Sequence, residues 1–378
     1  MRVLVAPDKF KGTLTAPEAA EAIATGWRRG DPSSEVETVP MADGGEGTLV
    51  ALVSALNGER FRERVAGPLG EAVEADFGVV QVPEGLTGVV EMARASGLDL
   101  VPPTRRDPRR TTTRGTGELV LAACRRGVRR VLVCIGGSAT NDAGAGMAQA
   151  LGARLFDREG KQLRPGGAAL LELARIDVTR MAPAVQAVEF IVATDVDNPL
   201  VGPRGASAVY GPQKGASPDD VRLLDEALRH FAAVVYRDLG VDIRDMPGAG
   251  AAGGLGGGLV AFLGARLRPG VEVVMEAVRL QERLDGIDLV ITGEGSFDEQ
   301  SLHGKTPAGV LNAADERRIP TLVLCGERRV ERPGTKVLSL VERFGGEAAH
   351  DRARQLLTEL AAEAAKEIRM EGVGGKGG

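Results

Sequence analysis

Cysteine is scarce in this chain: Cys124, Cys134 and Cys325 are the only three in 378 residues. They are odd in number, scattered and form no CxxC pair. A disulfide framework and a zinc knuckle are both excluded, and a reducing compartment is expected. Aromatic residues make up 3% of the chain, too few for a platform on which nucleic-acid bases stack. Excess positive charge is also lacking. The formal net charge is −5, without the basic footprint of a nucleic-acid binder. No apolar run approaches the roughly 20 residues of a membrane helix. The N-terminus, Met1-Arg-Val-Leu-Val-Ala-Pro-Asp8, reads as a strand entering a loop rather than a signal peptide. A cytoplasmic protein without membrane or nucleic-acid partners is expected. The three histidines offer no Ser-His-Asp or Cys-His arrangement.

Lysine and asparagine are rare as well, with eight and four copies. Lys9, Lys11, Lys214 and Lys305 nevertheless stand in or beside glycine-containing loops. A compact ammonium kept where arginine is the default suits a phosphate, although a solvated surface role is the commoner state of any single lysine. Glycine is the excess: 52 residues, clustered at 44–47, 136–146 and 248–258, as tight turns or close approach to a ligand require.

The length suggests two or three domains at about 150 residues each. The first 60 residues read strand–helix–strand–helix. Thr15-Ala-Pro-Glu18 is a capping box, and Asp43-Gly-Gly-Glu46 opens the second helix. From Phe61 to Val90, short alternating segments read as antiparallel hairpins. Strands are expected at 130–135 and 189–193, and a long helix after Ser217-Pro218. The last third returns to short apolar strands (287–291, 320–324, 336–340) with helices between them. The last helix spans about 347–369, and residues 372–378 are expected to fray. The pattern predicts an α/β protein. Residues 1–62 and 283–378 form one parallel-sheet domain, and 63–282 form an inserted mixed α/β domain.

Ligands of open parallel sheets bind at the carboxyl ends of strands. The loops there hold Asp8, Lys9 and Lys11; Asp43 and Glu46; and Glu294 and Asp298. Acids with lysines and exposed amides suit phosphoryl transfer. Asp43 and Glu46 fit a helix N-terminus equally well. Gly136-Gly137-Ser138-Ala-Thr140-Asn141-Asp142 follows a strand and opens a helix, the pattern of a phosphate cradle; a tight-packing loop is the alternative. Thr194-Asp195-Val-Asp197-Asn198 suits Mg²⁺ or an Asx turn before Pro199. Gly304-Lys305-Thr306 lacks the earlier glycine of a P-loop, since position 299 is Glu299. Gly248–Gly253 matches GxGxxG but follows Met246-Pro247 rather than a strand.

Eight segments carry a wider resemblance: APDKFKGTL, VPMADGGEGT, EMARASGL, TTTRGTGEL, IGGSATNDAGAGMAQALG, ATDVDNPLVGPRGASAVYGPQKGA, PGAGAAGGLGGGL and LVITGEGSFDEQSLHGKTP. Together, over roughly residues 1–326, the chain resembles the glycerate kinase family of the bacterial two-domain type. The resemblance implies ATP and Mg²⁺ as cofactors and D-glycerate as substrate, phosphorylated on the 2-hydroxyl. It also implies a discontinuous domain of flavodoxin-like or Rossmann-like character, with the active site in the cleft beside the inserted domain. A 3-phosphorylating kinase, a kinase of another hydroxy acid, and a non-catalytic nucleotide or metabolite binder are the rival readings. A homodimer is compatible with the sequence. Within that frame Gly136, Gly137, Ser138, Asn141 and Asp142 are expected at the ATP phosphates, and Asp195 with Asp298 at the metal. Lys9, Lys11 or Lys305 is expected at the transferring group, and Asp8 or Asp43 at the acceptor hydroxyl. Arg114, Glu46 and Lys214 are expected at the substrate.

Overall fold

The computed structural model describes residues 1–374, with side chains to 370. The expected fraying of the C-terminal tail lies outside the described residues for 375–378. In chain order the strands are β1 (Arg2–Val5), β2 (Glu35–Thr38), β3 (Glu59–Ala66), β4 (Ala72–Val82), β5 (Gly85–Glu91), β6 (Arg130–Cys134), β7 (Arg154–Asp157), β8 (Leu173–Asp177), β9 (Glu189–Ala193), β10 (Arg266–Arg268), β11 (Leu289–Thr292), β12 (Ser296–Phe297), β13 (Thr321–Cys325), β14 (Glu327–Arg328) and β15 (Lys336–Ser339). Contacts divide the chain into two compact units. Met1–Asp43, Val50–Asn57 and Val271–Gly378 form the first, and Gly44–Leu49 with Gly58–Gly270 the second.

The first unit is built on an all-parallel sheet of order β15-β13-β11-β1-β2. Its central strands are short and apolar because both faces are covered. Alternate residues feed different cores. Val3, Val5, Leu289, Ile291, Leu322 and Leu324 pack with Ile23 and Trp27 of the helix Ala16–Gly30 and Leu357 of the helix Ala353–Gly374. Val323, Cys325 and Val337 pack with Leu311 of the helix Thr306–Glu316. The chain leaves β1 for β2 in one direction and β11 for β13 in the other, so the strand order reverses between β1 and β11. That reversal is where open α/β sheets bind ligands.

Local signals set the helices. Thr15 and Glu18 form the expected capping box, and Ser217 with Asp220 caps the helix Pro218–Leu239. Gly26 and Gly30 let Ala16–Gly30 lie close against the last helix: a Cβ at either would overlap the carbonyl oxygen of Thr358 or Ala362. Gly26→Val is expected to cost about 1–3 kcal/mol by overpacking, read as a lower urea midpoint with an unchanged m-value.

The second unit holds a six-stranded sheet of order β10-β9-β6-β5-β4-β3. Strands β10, β9, β6 and β5 are parallel, while β5, β4 and β3 form the expected antiparallel meander. A small ribbon, β7–β8, flanks it. The carboxyl ends of four parallel strands therefore share one edge. One expected element begins elsewhere. The second helix starts at Thr48 rather than Asp43, because Gly44 and Gly47 take left-handed φ of 83° and 95°. Its first turn is met by Glu91, whose Oε1 accepts from the Leu49 amide at 2.8 Å, so Asp43 and Glu46 are loop residues.

Candidate functional site

In the first unit the loops after β1 and β11 are tied together at the strand-order reversal. The Asp8 amide donates to Gly293 O at 2.8 Å and Ala6 N to Ile291 O at 2.7 Å. Asp8 is buried. Its Oδ1 accepts from the Lys9 amide at 2.6 Å, and its Oδ2 from Thr306 Oγ1 at 2.6 Å. Burial holds the Asp8 carboxyl above its ordinary range and neighbouring Asp43 adds to this, while Lys9 opposes. Both carboxylate oxygens brace the loop against the start of the helix Thr306–Glu316. Asp8 thus acts first as a strut.

Glu294, two residues beyond β11, is the strand-end acid to which no role was assigned from the sequence. It is buried; its Oε1 is enclosed and has no hydrogen-bond partner. Burial pushes its carboxyl up to about 7, helped by the charges of Asp8 and Asp298 and opposed by a Ser301 hydrogen bond and Lys305. Asp8, Asp43, Glu294 and Lys305 thus form one electrostatically coupled group. Lys11 is exposed and Lys9 half-buried on the same loop as Asp8. Asp298, expected at a metal, is the N-cap of the turn Glu299–Leu302: its Oδ1 accepts from the Gln300 amide at 2.9 Å.

In the second unit Gly136 and Gly137 are exposed just beyond β6. Their loop is fixed from behind. Leu98 N donates to Gly137 O at 2.8 Å, and Ala139 N to Ser96 O at 3.0 Å. Lys214, expected at the substrate, is 1% exposed and lies beneath this loop. Its Nζ donates to Ser138 Oγ and to Thr140 O, each at 2.7 Å. Burial lowers its ammonium to about 7, against the pull of Asp142. Asn141 and Asp142 likewise turn inward rather than toward a phosphate. Asn141 Nδ2 donates to Ser207 Oγ at 3.0 Å. Asp142 accepts from Thr113 N (2.9 Å), Thr113 Oγ1 (3.0 Å), Gly146 N (3.2 Å) and Gly144 N (3.3 Å). These side chains form the loop's foundation and leave its backbone as the exposed part.

The glycine-dense segment 248–258 supplies space for that foundation. A Cβ at Gly253 would overlap Thr140 O, and one at Gly258 would overlap Ala143 O. The GxGxxG match is therefore a packing feature. Gly45, on the loop that carries exposed Glu46, comes within van der Waals reach of Gly136. Asp195 is exposed after β9 and accepts from Gly270 N at 2.9 Å. Arg114 is half exposed at the start of the helix Arg114–Cys124, its Nε 3.1 Å from Glu118 Oε1. Among the described residues no group of three His, Cys, Asp or Glu side chains is placed to hold a metal ion, and no helix is long and apolar enough to cross a membrane.

The family model of the glycerate kinase family matches residues 3–369. A protein of Halalkalibacterium halodurans named glycerate kinase is 51% identical over 324 residues, covering 86% of this chain and 85% of its own. A protein of Escherichia coli K12 named glycerate 2-kinase is 49% identical over 326 residues, with 86% and 85% covered. A crystal structure from Salmonella typhimurium LT2, assigned as a glycerate kinase 2, superposes with a TM-score of 0.89 at 43% identity. It covers 98% of this chain and 99% of its own.

Proposed function

Because the chain belongs to the glycerate kinase family, we propose that it transfers the γ-phosphoryl group of ATP to D-glycerate, giving 2-phospho-D-glycerate and ADP. The observation that carries the choice of product is the 49% identity, across most of both chains, to a relative named glycerate 2-kinase. The geometry supports the chemistry. Phosphoryl transfer asks a protein for positioning and charge neutralisation more than for covalent steps. The exposed backbone of Gly136 and Gly137, with buried Ser138 next in the loop and the Lys214 ammonium beneath it, is suited to hold phosphate oxygens. Lys9, Lys11 and Lys305 neutralise the charge that spreads over the transferring group. Asp43 orients the acceptor, with Glu46 three residues further along the same loop, and Asp8 keeps the loop of Lys9 and Lys11 in register. The Arg114 guanidinium matches the glycerate carboxylate.

Magnesium would supply positive charge at the phosphates and commonly takes only one or two protein carboxylates. The exposed carboxylate of Asp195 is the side chain that would hold it.

Phosphorus NMR of the protein with ATP and D-glycerate tests the whole reading. A phosphomonoester on C2 growing with ADP is the expected result. ADP without a new ester, or an ester on C3, refutes the proposed reaction or its regiochemistry respectively. Lys9→Ala is expected to reduce kcat on the order of 10²-fold, the usual effect of deleting one transition-state contact. Steady-state kinetics check this; a loss of only a few-fold would remove Lys9 from the transferring group.

A further inference from the structure

Three observations single out Glu294 among the acids of the first unit. It stands at the carboxyl end of β11, directly beside β1, where the strand order reverses. Its Oε1 is enclosed by protein yet meets no donor. Buried acceptors left unpaired are rare and costly, about 1–3 kcal/mol each, so one at a ligand-binding position calls for a donor that arrives with the ligand. Finally, the rival base is occupied: Asp8 gives one oxygen to the Lys9 amide and the other to Thr306 Oγ1.

Resting on the kinase reading above, we propose that Glu294 is the catalytic base, its Oε1 taking the proton of the acceptor hydroxyl. The hydroxyl oxygen forms its bond to the γ-phosphorus as the bond from that phosphorus to the β,γ-bridging oxygen breaks. The electron pair of the broken bond leaves with ADP. The proton stays on Glu294 until product departs and then passes to solvent. A base enclosed away from water holds its proton acceptor for the substrate alone. The carboxyl is also tuned for the task. Burial and the charges of Asp8 and Asp298, against Ser301 and Lys305, bring it to about 7, where a base is both available and strong enough. Cys325 also senses its charge.

Glu294→Gln is the test, with glycerate phosphorylation, ATP-analogue binding and thermal unfolding measured together. The expected result is a fall in kcat on the order of 10²-fold with nucleotide affinity unchanged. Wild-type kcat should rise with pH through about 7, and the variant should lack that limb. Gln preserves shape and cannot ionise, so unfolding should occur at the same temperature or higher. Should Gln disrupt folding, Glu294→Asp serves instead: it keeps the carboxylate, one methylene further back, and should retain the pH limb at a reduced rate. Glu294→Gln acting within a few-fold of wild type, or an unchanged pH limb in it, overturns the proposal and leaves the kinase reading intact. Wild-type protein that makes no phosphoglycerate overturns both.

Discussion

Asp142→Ala should lower the stability of the second unit by about 3–5 kcal/mol, the usual result of removing one partner from a buried charged network. Asp142 is 1% exposed, and four donors converge on it: the amides of Thr113, Gly144 and Gly146, and Thr113 Oγ1. Alanine leaves three buried amides without an acceptor. Each such group costs about 1–3 kcal/mol, and no water can reach them in a site closed on every side. The damage spreads because Thr113 Oγ1 in turn accepts from Met147 N at 3.0 Å. The carboxylate thus couples the loop 111–114, the loop 136–142 and the helix Ala145–Ala150. Asn is the informative comparison. It keeps the volume and one acceptor oxygen but turns an amide group toward donors, so an intermediate loss is expected. Chemical denaturation of the three proteins checks the order wild type, Asn, Ala. Equal midpoints would mean that Asp142 is not a structural acid and would return it to the phosphate.

The same residue marks the limit of what the sequence made legible. The α/β class, a parallel sheet assembled from both chain ends, the antiparallel meander and the strand-end loops all follow from period, capping and glycine placement, which are local signals. What a side chain in such a loop faces is not local. Ser138, Asn141, Asp142 and Lys214 read as ligand groups because they are polar and sit among glycines. The fold turns them inward because the loop needs buried acceptors and donors of its own, and those partners (Thr113, Ser207, Thr140) lie in distant segments. Glu294 was obscured in the opposite sense. It is legible as one of several strand-end acids, and only the enclosure beside Asp8 and Lys305 gives the carboxyl its altered affinity for protons. The start of the second helix at Thr48 is similarly a tertiary outcome, since its capping acid is Glu91, 42 residues away.

Lys214→Met should separate catalysis from stability. Methionine keeps the apolar stem and removes the ammonium, leaving Ser138 Oγ and Thr140 O without their shared donor. The loop then loses both its brace and the positive charge behind the proposed phosphate site. A fall in kcat/KM for ATP on the order of 10²–10³-fold is expected, carried mainly by KM. Lys214→Arg should not rescue it, because a planar fork cannot replace a point donor in a fully enclosed space. The pH dependence supplies an independent check. Burial lowers the Lys214 ammonium from 10.5 to about 7, so between those values the unfolded chain binds a proton that the folded one does not. Stability attributable to this residue therefore rises with pH across about 7 to 10.5 and is flat below; the Met variant should lack that rise. Activity moves the other way. As pH climbs through about 7 the ammonium discharges, and KM for ATP in the wild type should increase where the variant's stays constant. Asp142 is the charged neighbour that opposes this discharge, so Asp142→Asn should shift the KM rise to lower pH. A Met variant with wild-type KM at pH 6 would show that the loop holds phosphate by its backbone alone.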